Sequence, residues 1–115
     1  MAAEAGDAGL VRRLMAARPE LRDKTVGEYG FTPLMMAAYY GHPEAVEVLA
    51  DGGAQLDLQD VAGRTALWYA AYSNHLAIVK LLVGRGADQT IKGVGMTPRE
   101  IAVKNGYTEC AALFR

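Results

Sequence analysis

From Pro43 to Ala50 the apolar residues Val46 and Leu49 stand three apart, while Glu44 and Glu47 fall on the other side of the same turn, and Gly52 and Gly53 follow. That spacing predicts a short amphipathic helix over 43–50 with one buried stripe, ended by the two glycines. The stripe returns at Ile78, Val79, Leu81 and Leu82, and again at Ala111, Leu113 and Phe114 on a last helix. Ahead of each such segment lies a denser one. In "TPLMMAAYY", Thr32 is placed to cap a helix and Pro33 to occupy its first position, where the missing N–H costs nothing. Ala37 and Ala38 are small enough for close approach to a neighbour, and Gly41 with His42 lets the chain reverse. Thr97 and Pro98 repeat the opening device. Helices of two turns are not stable alone, so each pair has to lean on another.

The pairs are copies. "TPLMMAAYYGHPEAVEVLADGGA" from Thr32 is answered by "TALWYAAYSNHLAIVKLLVGRGA" from Thr65, thirty-three residues on. Gly30, Leu34, His42, Val46, Leu49 and Ala54 match Gly63, Leu67, His75, Val79, Leu82 and Ala87. A further copy runs from Gly95 as "GMTPREIAVKNGYTECAALF", one residue short of the period, and a degraded one is visible in "AAEAGDAGLVRRLM", where Gly6, Val11 and Leu14 fall in register. A fixed period of this size signals stacked supersecondary units in place of one closed fold.

On "TPLMMAA", "TALWYAA" and "TPREIAV", with "YGH", "SNH" and "NGY" at the turns and "GGA" and "RGA" after the second helices, the chain resembles the ankyrin repeat family. The resemblance implies an all-α solenoid of helix-turn-helix units joined by β-hairpin-like finger loops. It divides the single domain 1–115 into a degraded N-terminal repeat (1–28), repeats at 29–60 and 61–92, and a C-terminal capping repeat (93–115). Arg99, Glu100 and Lys104 stand where other units carry Leu34, Met35 and Tyr39, which is the polar outer face an end unit needs. Met1 to Ala5 supply barely one turn of a first helix for the opening unit.

Composition narrows the classes of function. The 115 residues, 51% hydrophobic, suit one core, and a net charge of −1 lacks the basic character of a nucleic-acid binder or a polybasic membrane anchor. No Lys or Arg lies between Lys24 and Arg64, where Glu28, Glu44, Glu47, Asp51, Asp57 and Asp60 all fall; cations predominate beyond. The one cysteine, Cys110, forms no intramolecular disulfide, and no signal peptide or membrane-spanning run is evident, so a reducing cytoplasmic or nuclear setting is expected.

Catalytic chemistry finds no foothold. His42 and His75 occupy equivalent turn positions, where the resemblance implies a ring bonded to the turn backbone, and no third metal ligand accompanies them. Cys110 reads as a small, partly buried residue on the last helix. "GVGMT" lacks the strand and lysine of a phosphate loop and reads as the turn before the third TP motif. Asp57, Asp60 and Asp88 are assigned to inter-repeat connections and are too scattered for a calcium loop. No enzyme, cofactor or metal is expected.

Large side chains are unevenly spread: seven of the nine aromatics, among them Tyr29, Phe31 and Trp68, lie between residues 29 and 72. The resemblance implies that finger tips and first-helix ends line a concave groove where partners dock. That set comprises Tyr29, Phe31, Val61, Arg64 and Met96 on the fingers, and Tyr39, Tyr40, Tyr72, Ser73 and Lys104 at the helix ends, with Glu28, Met36 and Tyr69 beside them. Tyrosine and tryptophan combine an apolar face with a polar handle at low entropy cost, which suits them to binding. Trp68, standing where the family usually has histidine, is expected to be mainly structural. The expected function is protein–protein interaction by a monomer that takes another protein or peptide in its groove. An engineered ankyrin binder and a self-associating spacer are the alternatives, the irregular Thr65–Ala66 and the short third period arguing for natural origin.

Overall fold

Thr32 takes an extended backbone (φ −90°, ψ 161°) and its hydroxyl accepts from the Met35 amide at 3.1 Å, which starts helix α2, Pro33–Tyr40. Thr65 does the same for the Trp68 amide at 3.2 Å and opens α4, Ala66–Tyr72, although alanine replaces proline at its first position. Thr97 completes a reciprocal cap: its Oγ1 accepts from Glu100 N at 3.2 Å and its own amide donates to Glu100 Oε1 at 2.9 Å, opening α6, Pro98–Lys104. Each is followed by an outer helix, α3 (Pro43–Asp51), α5 (Leu76–Gly84) and α7 (Thr108–Ala112). A further outer helix, α1 (Ala8–Ala17), precedes them. The computed structural model describes residues 8–17, 22–25 and 27–114. The first helix expected at Met1 to Ala5 lies outside the described residues.

The helices stack in two layers. α2 packs on α4 and α4 on α6, while α3 packs on α5 and α5 on α7, with α1 extending the outer layer against α3. The result is elongated, 40 × 26 × 22 Å, as expected when every unit touches only its neighbours. Ala37, Ala38, Ala70, Ala71 and Ala102 have no exposed surface and let the inner helices approach; Val46, Leu49, Ile78, Val79 and Leu82 fill the space between the layers. Glu44 and Glu47 face solvent, as their spacing predicts. Two expectations shift slightly. Leu81 is only half-buried, and α7 stops at Ala112, so that Phe114 is buried from beyond the helix end. Cys110 is fully buried, and desolvation pushes its thiol pKa up.

Turn chemistry ties the units together. Gly41 ends α2 in the left-handed region (φ 77°), and a side chain there would meet the His75 ring, since a Cβ would stand 2.6 Å from Cε1. That ring bonds backbone as expected, but across the repeat boundary: His75 Nε2 lies 3.1 Å from the Tyr39 carbonyl. Gln55 N donates to Asp23 Oδ1 at 3.1 Å and Asp88 N to Asp57 Oδ1 at 2.8 Å, one unit apart. Asp51 and Arg85, at the ends of α3 and α5, form an ion pair.

The fingers are hairpins without extended strands. Asp60 N donates to Arg64 O at 2.9 Å in one, and Gly93 and Met96 exchange both backbone bonds in the next, at 2.8 and 3.0 Å. The tips are joined in series: Val61 N donates to Tyr29 O, and Val94 N to Ala62 O, both at 3.0 Å. The residue missing from the third period is missing from this finger. Three residues separate Asp60 from Arg64, but only Val94 and Gly95 separate Gly93 from Met96, both left-handed at φ 53° and 77°. Two consecutive positive φ values are what a two-residue hairpin of the I′ kind requires.

Candidate functional site: an aromatic cleft at the inner helices

Asp60 organises the site from beneath. Its side chain is entirely buried: Oδ1 accepts from Ala62 N at 3.0 Å and Arg64 N at 2.9 Å, while Oδ2 accepts from Arg64 Nε at 3.0 Å and from the Tyr69 hydroxyl. Burial pushes the Asp60 carboxyl up, but the Tyr69 hydroxyl, the Arg64 amide and the Arg64 guanidinium together more than offset it, and its pKa lies below the usual carboxylate value. Burial, and then the bond to that carboxylate, raises the Tyr69 phenol well above the ordinary tyrosine value. Asp60 lies in the connection between two repeats, as expected, and there anchors a finger, with Asp60-Val61-Ala62-Gly63 forming its turn. The signal was present, because an aspartate three residues before a left-handed glycine is a common turn former.

Above this anchor the rings pack edge to face. Phe31 and Tyr39 meet Tyr69 at centroid distances of 6.1 and 5.6 Å and angles of 80° and 74°. Tyr40 meets Tyr39 at 5.1 Å, and Trp68 stacks on Tyr72 at 5.2 Å with only 13° between planes. The Arg64 guanidinium lies 5.6 Å from the Trp68 centroid and 5.1 Å from that of Tyr69. Together they enclose a cleft of about 340 Å³ lined by Phe31, Met35, Met36, Tyr39, Tyr40, Arg64, Trp68, Tyr69 and Tyr72.

The residues singled out from sequence divide accordingly. Phe31, Met36, Tyr39, Tyr40, Arg64, Tyr69 and Tyr72 converge on the cleft. Of these, Tyr39, Tyr40 and Tyr72 are 43%, 48% and 43% exposed, whereas Tyr69 is only 6% exposed with its hydroxyl committed to Asp60. Tyr29, 53% exposed, stands just outside and stacks on Phe31 at 5.8 Å. Glu28 and Val61 are exposed on the fingers, and Ser73 is half-buried at the end of α4. Met96 and Lys104 belong elsewhere, to a recess of about 330 Å³ shared with Arg99, Glu100 and Val103. Two cleft walls were not among the sequence candidates: Met35, and Trp68, which is buried as expected of a structural residue yet still faces the cavity. The Trp68 indole N–H has no acceptor among the described residues.

Three acidic residues of the second quarter lie apart from this surface. Glu44, Glu47 and Asp51 line a recess between α1 and α3 together with Arg12, on the outer layer. Among the described residues no three His, Cys, Asp or Glu side chains converge as metal ligands, and no helix is long and apolar enough to cross a membrane.

Residues 1–93 match the family model described as ankyrin repeats, three copies. Among curated proteins, inversin of Gallus gallus is 34% identical over 113 residues, covering 97% of this chain and 10% of that protein. Ankyrin repeat and SAM domain-containing protein 6 of Mus musculus is 38% identical over 104 residues, 90% of this chain and 10% of its own length. Protein fem-1 homolog A-like of Mus musculus is 36% identical over 85 residues, 74% of this chain and 13% of its own. The chain thus spans about a tenth of the length of these relatives.

Proposed function

The chain belongs to the ankyrin repeat family, whose repeats generally mediate protein–protein interaction without catalysis, and from that premise we propose that it binds a segment of a protein partner in the trough formed by its fingers and inner helices. One observation carries the reading: four tyrosines, Tyr29, Tyr39, Tyr40 and Tyr72, expose between 43% and 53% of their surface in and beside one cleft. Exposed tyrosines in such a cluster are costly to leave in water, and are effective anchors once covered. The reading takes 1–115 as one array of four units, with 93–115 closing it, acting as a monomer. A net charge of −1 and the acidic outer face of α3 speak against nucleic acid or an anionic membrane as the partner. The lone, buried Cys110 suits a reducing cytoplasmic or nuclear setting.

The test is a triple exchange of Tyr39, Tyr40 and Tyr72 to serine, with circular dichroism and thermal unfolding run beside affinity capture from cell extract. The fold is expected to survive while captured partners are lost; retention of every partner by the folded variant would end the proposal. Light scattering at rising concentration decides between a monomer and self-association through the same tyrosines.

A further inference from the structure

We propose that the segment held in this trough carries a carboxylate, from a glutamate or aspartate beside an apolar residue, and that Arg64 receives it. The inference rests on the binding reading above and adds to it the chemistry of the partner. Arg64 spends only its Nε on Asp60, at 3.0 Å, and its two Nη atoms have no acceptor among the described residues. The guanidinium is nevertheless already ordered, held by that bond and by the faces of Trp68 and Tyr69 at 5.6 and 5.1 Å. An arginine fixed beforehand loses little freedom when a planar anion docks on its remaining edge, and its fork matches a carboxylate.

The charges are arranged for the same visitor. The Asp60–Arg64 pair is neutral in sum, but the Asp60 side chain is 0% exposed and Arg64 26%, so the pair presents a dipole with its cation toward the cleft. Both Asp60 oxygens are already filled by four donors. No Asp or Glu lines the cleft, and Glu44, Glu47 and Asp51 are on the outer layer. The polar groups left on the cleft wall are the hydroxyls of Tyr39, Tyr40 and Tyr72, which donate to an acceptor. Beside them Phe31, Met36 and Tyr40 offer an apolar bed for the neighbouring side chain. The aromatic surface continues beyond the cleft to Tyr29, stacked on Phe31, a reach that suits an extended peptide better than a metabolite.

The probe is a displayed library of random linear peptides selected against the full chain, followed by synthesis of the selected sequences. Recurrent Glu or Asp next to an apolar residue is expected, and replacing that acid by Gln in the peptide should weaken binding to the unaltered protein roughly tenfold, the scale of one charge-assisted bond. Arg64→Gln should bind the acidic and amide peptides alike. Because that substitution also touches the finger, the peptide-side comparison on the unaltered protein stands as an independent measure. Selected peptides without acid, or an indifferent Glu-to-Gln exchange, coupled with loss of binding in Tyr40→Ser, would overturn the carboxylate assignment and leave the trough intact. Binders indifferent to Tyr40→Ser as well, or a library that gives none, would overturn both.

Discussion

The fingers at Asp60–Arg64 and Gly93–Met96 occupy equivalent places in successive units, yet they are closed by different means. The first is held by a side chain: Asp60 bonds two amides of its own turn and reaches on to Arg64 Nε and the Tyr69 hydroxyl. The second has lost one residue and every such bond; it closes by backbone alone, with Val94 and Gly95 both left-handed. The longer finger spends a residue and a buried charge, and the same carboxylate that closes it also orients Arg64 over Trp68 and Tyr69. The shorter finger closes with less chemistry and orients nothing in the cleft, but Gly93 slides against Arg64 and Trp68 so tightly that a Cβ would fall 2.6 Å from Arg64 Cγ. One finger builds the site and the next presses against it.

Removing the anchor should separate them most sharply. Asp60→Ala leaves a buried tyrosine hydroxyl, two amides and a guanidinium without their acceptor, and should cost about 3–5 kcal/mol in chemical denaturation. The sign with pH follows from the depressed folded-state pKa of Asp60: its contribution is complete above the ordinary carboxylate range and is lost as pH falls below about 4. Asp60→Asn should flatten that acid limb of the stability curve, and an unchanged limb would show that the anchor is energetically silent.

A smaller loss is expected where the fingers touch. Gly93→Ala places its Cβ 2.8 Å from Arg64 Cα, which is backbone and cannot swing aside. Overpacking of this kind costs about 1–3 kcal/mol. The Trp68 indole N–H resonance should shift with it, because an added Cβ also lies 3.0 Å from Trp68 Cδ1.

The smallest effect has the opposite sign. Val94 is β-branched, 63% exposed and held at φ 53°, where asparagine is far better tolerated. Val94→Asn should raise stability by about 1 kcal/mol with no change in the aromatic cleft, and a loss instead would show that the valine is held there by contacts at the tip.

Much of this was legible beforehand because it depends on neighbours in sequence. Thr32, Thr65 and Thr97 cap helices within three residues of themselves, and the alternation of Glu44, Val46, Glu47 and Leu49 needs only one turn of helix to become a buried and a wet face. The exposure of Tyr39, Tyr40 and Tyr72 followed from the repeat register, since each stands at or just before the end of an inner helix. The anchoring role of Asp60 was hidden because it comes from Tyr69, nine residues away on the following helix, and from Arg64 across the hairpin. Tyr69 sits three residues before Tyr72 on the same side of α4, but Phe31, Tyr39 and the bond to Asp60 cover it, which the register alone does not show.

By itself, then, the sequence decided the helices, their caps, the period that stacks them and the concentration of aromatic residues in one stretch, because these are set by spacing along a chain of short-range bonds. Only the tertiary structure decided which rings meet, that Asp60 lies buried beneath them, and that Arg64 keeps its outer nitrogens unspent, because those outcomes depend on groups from different units arriving at the same few ångströms. Spacing cannot state such a meeting; it appears only when one repeat packs against the next.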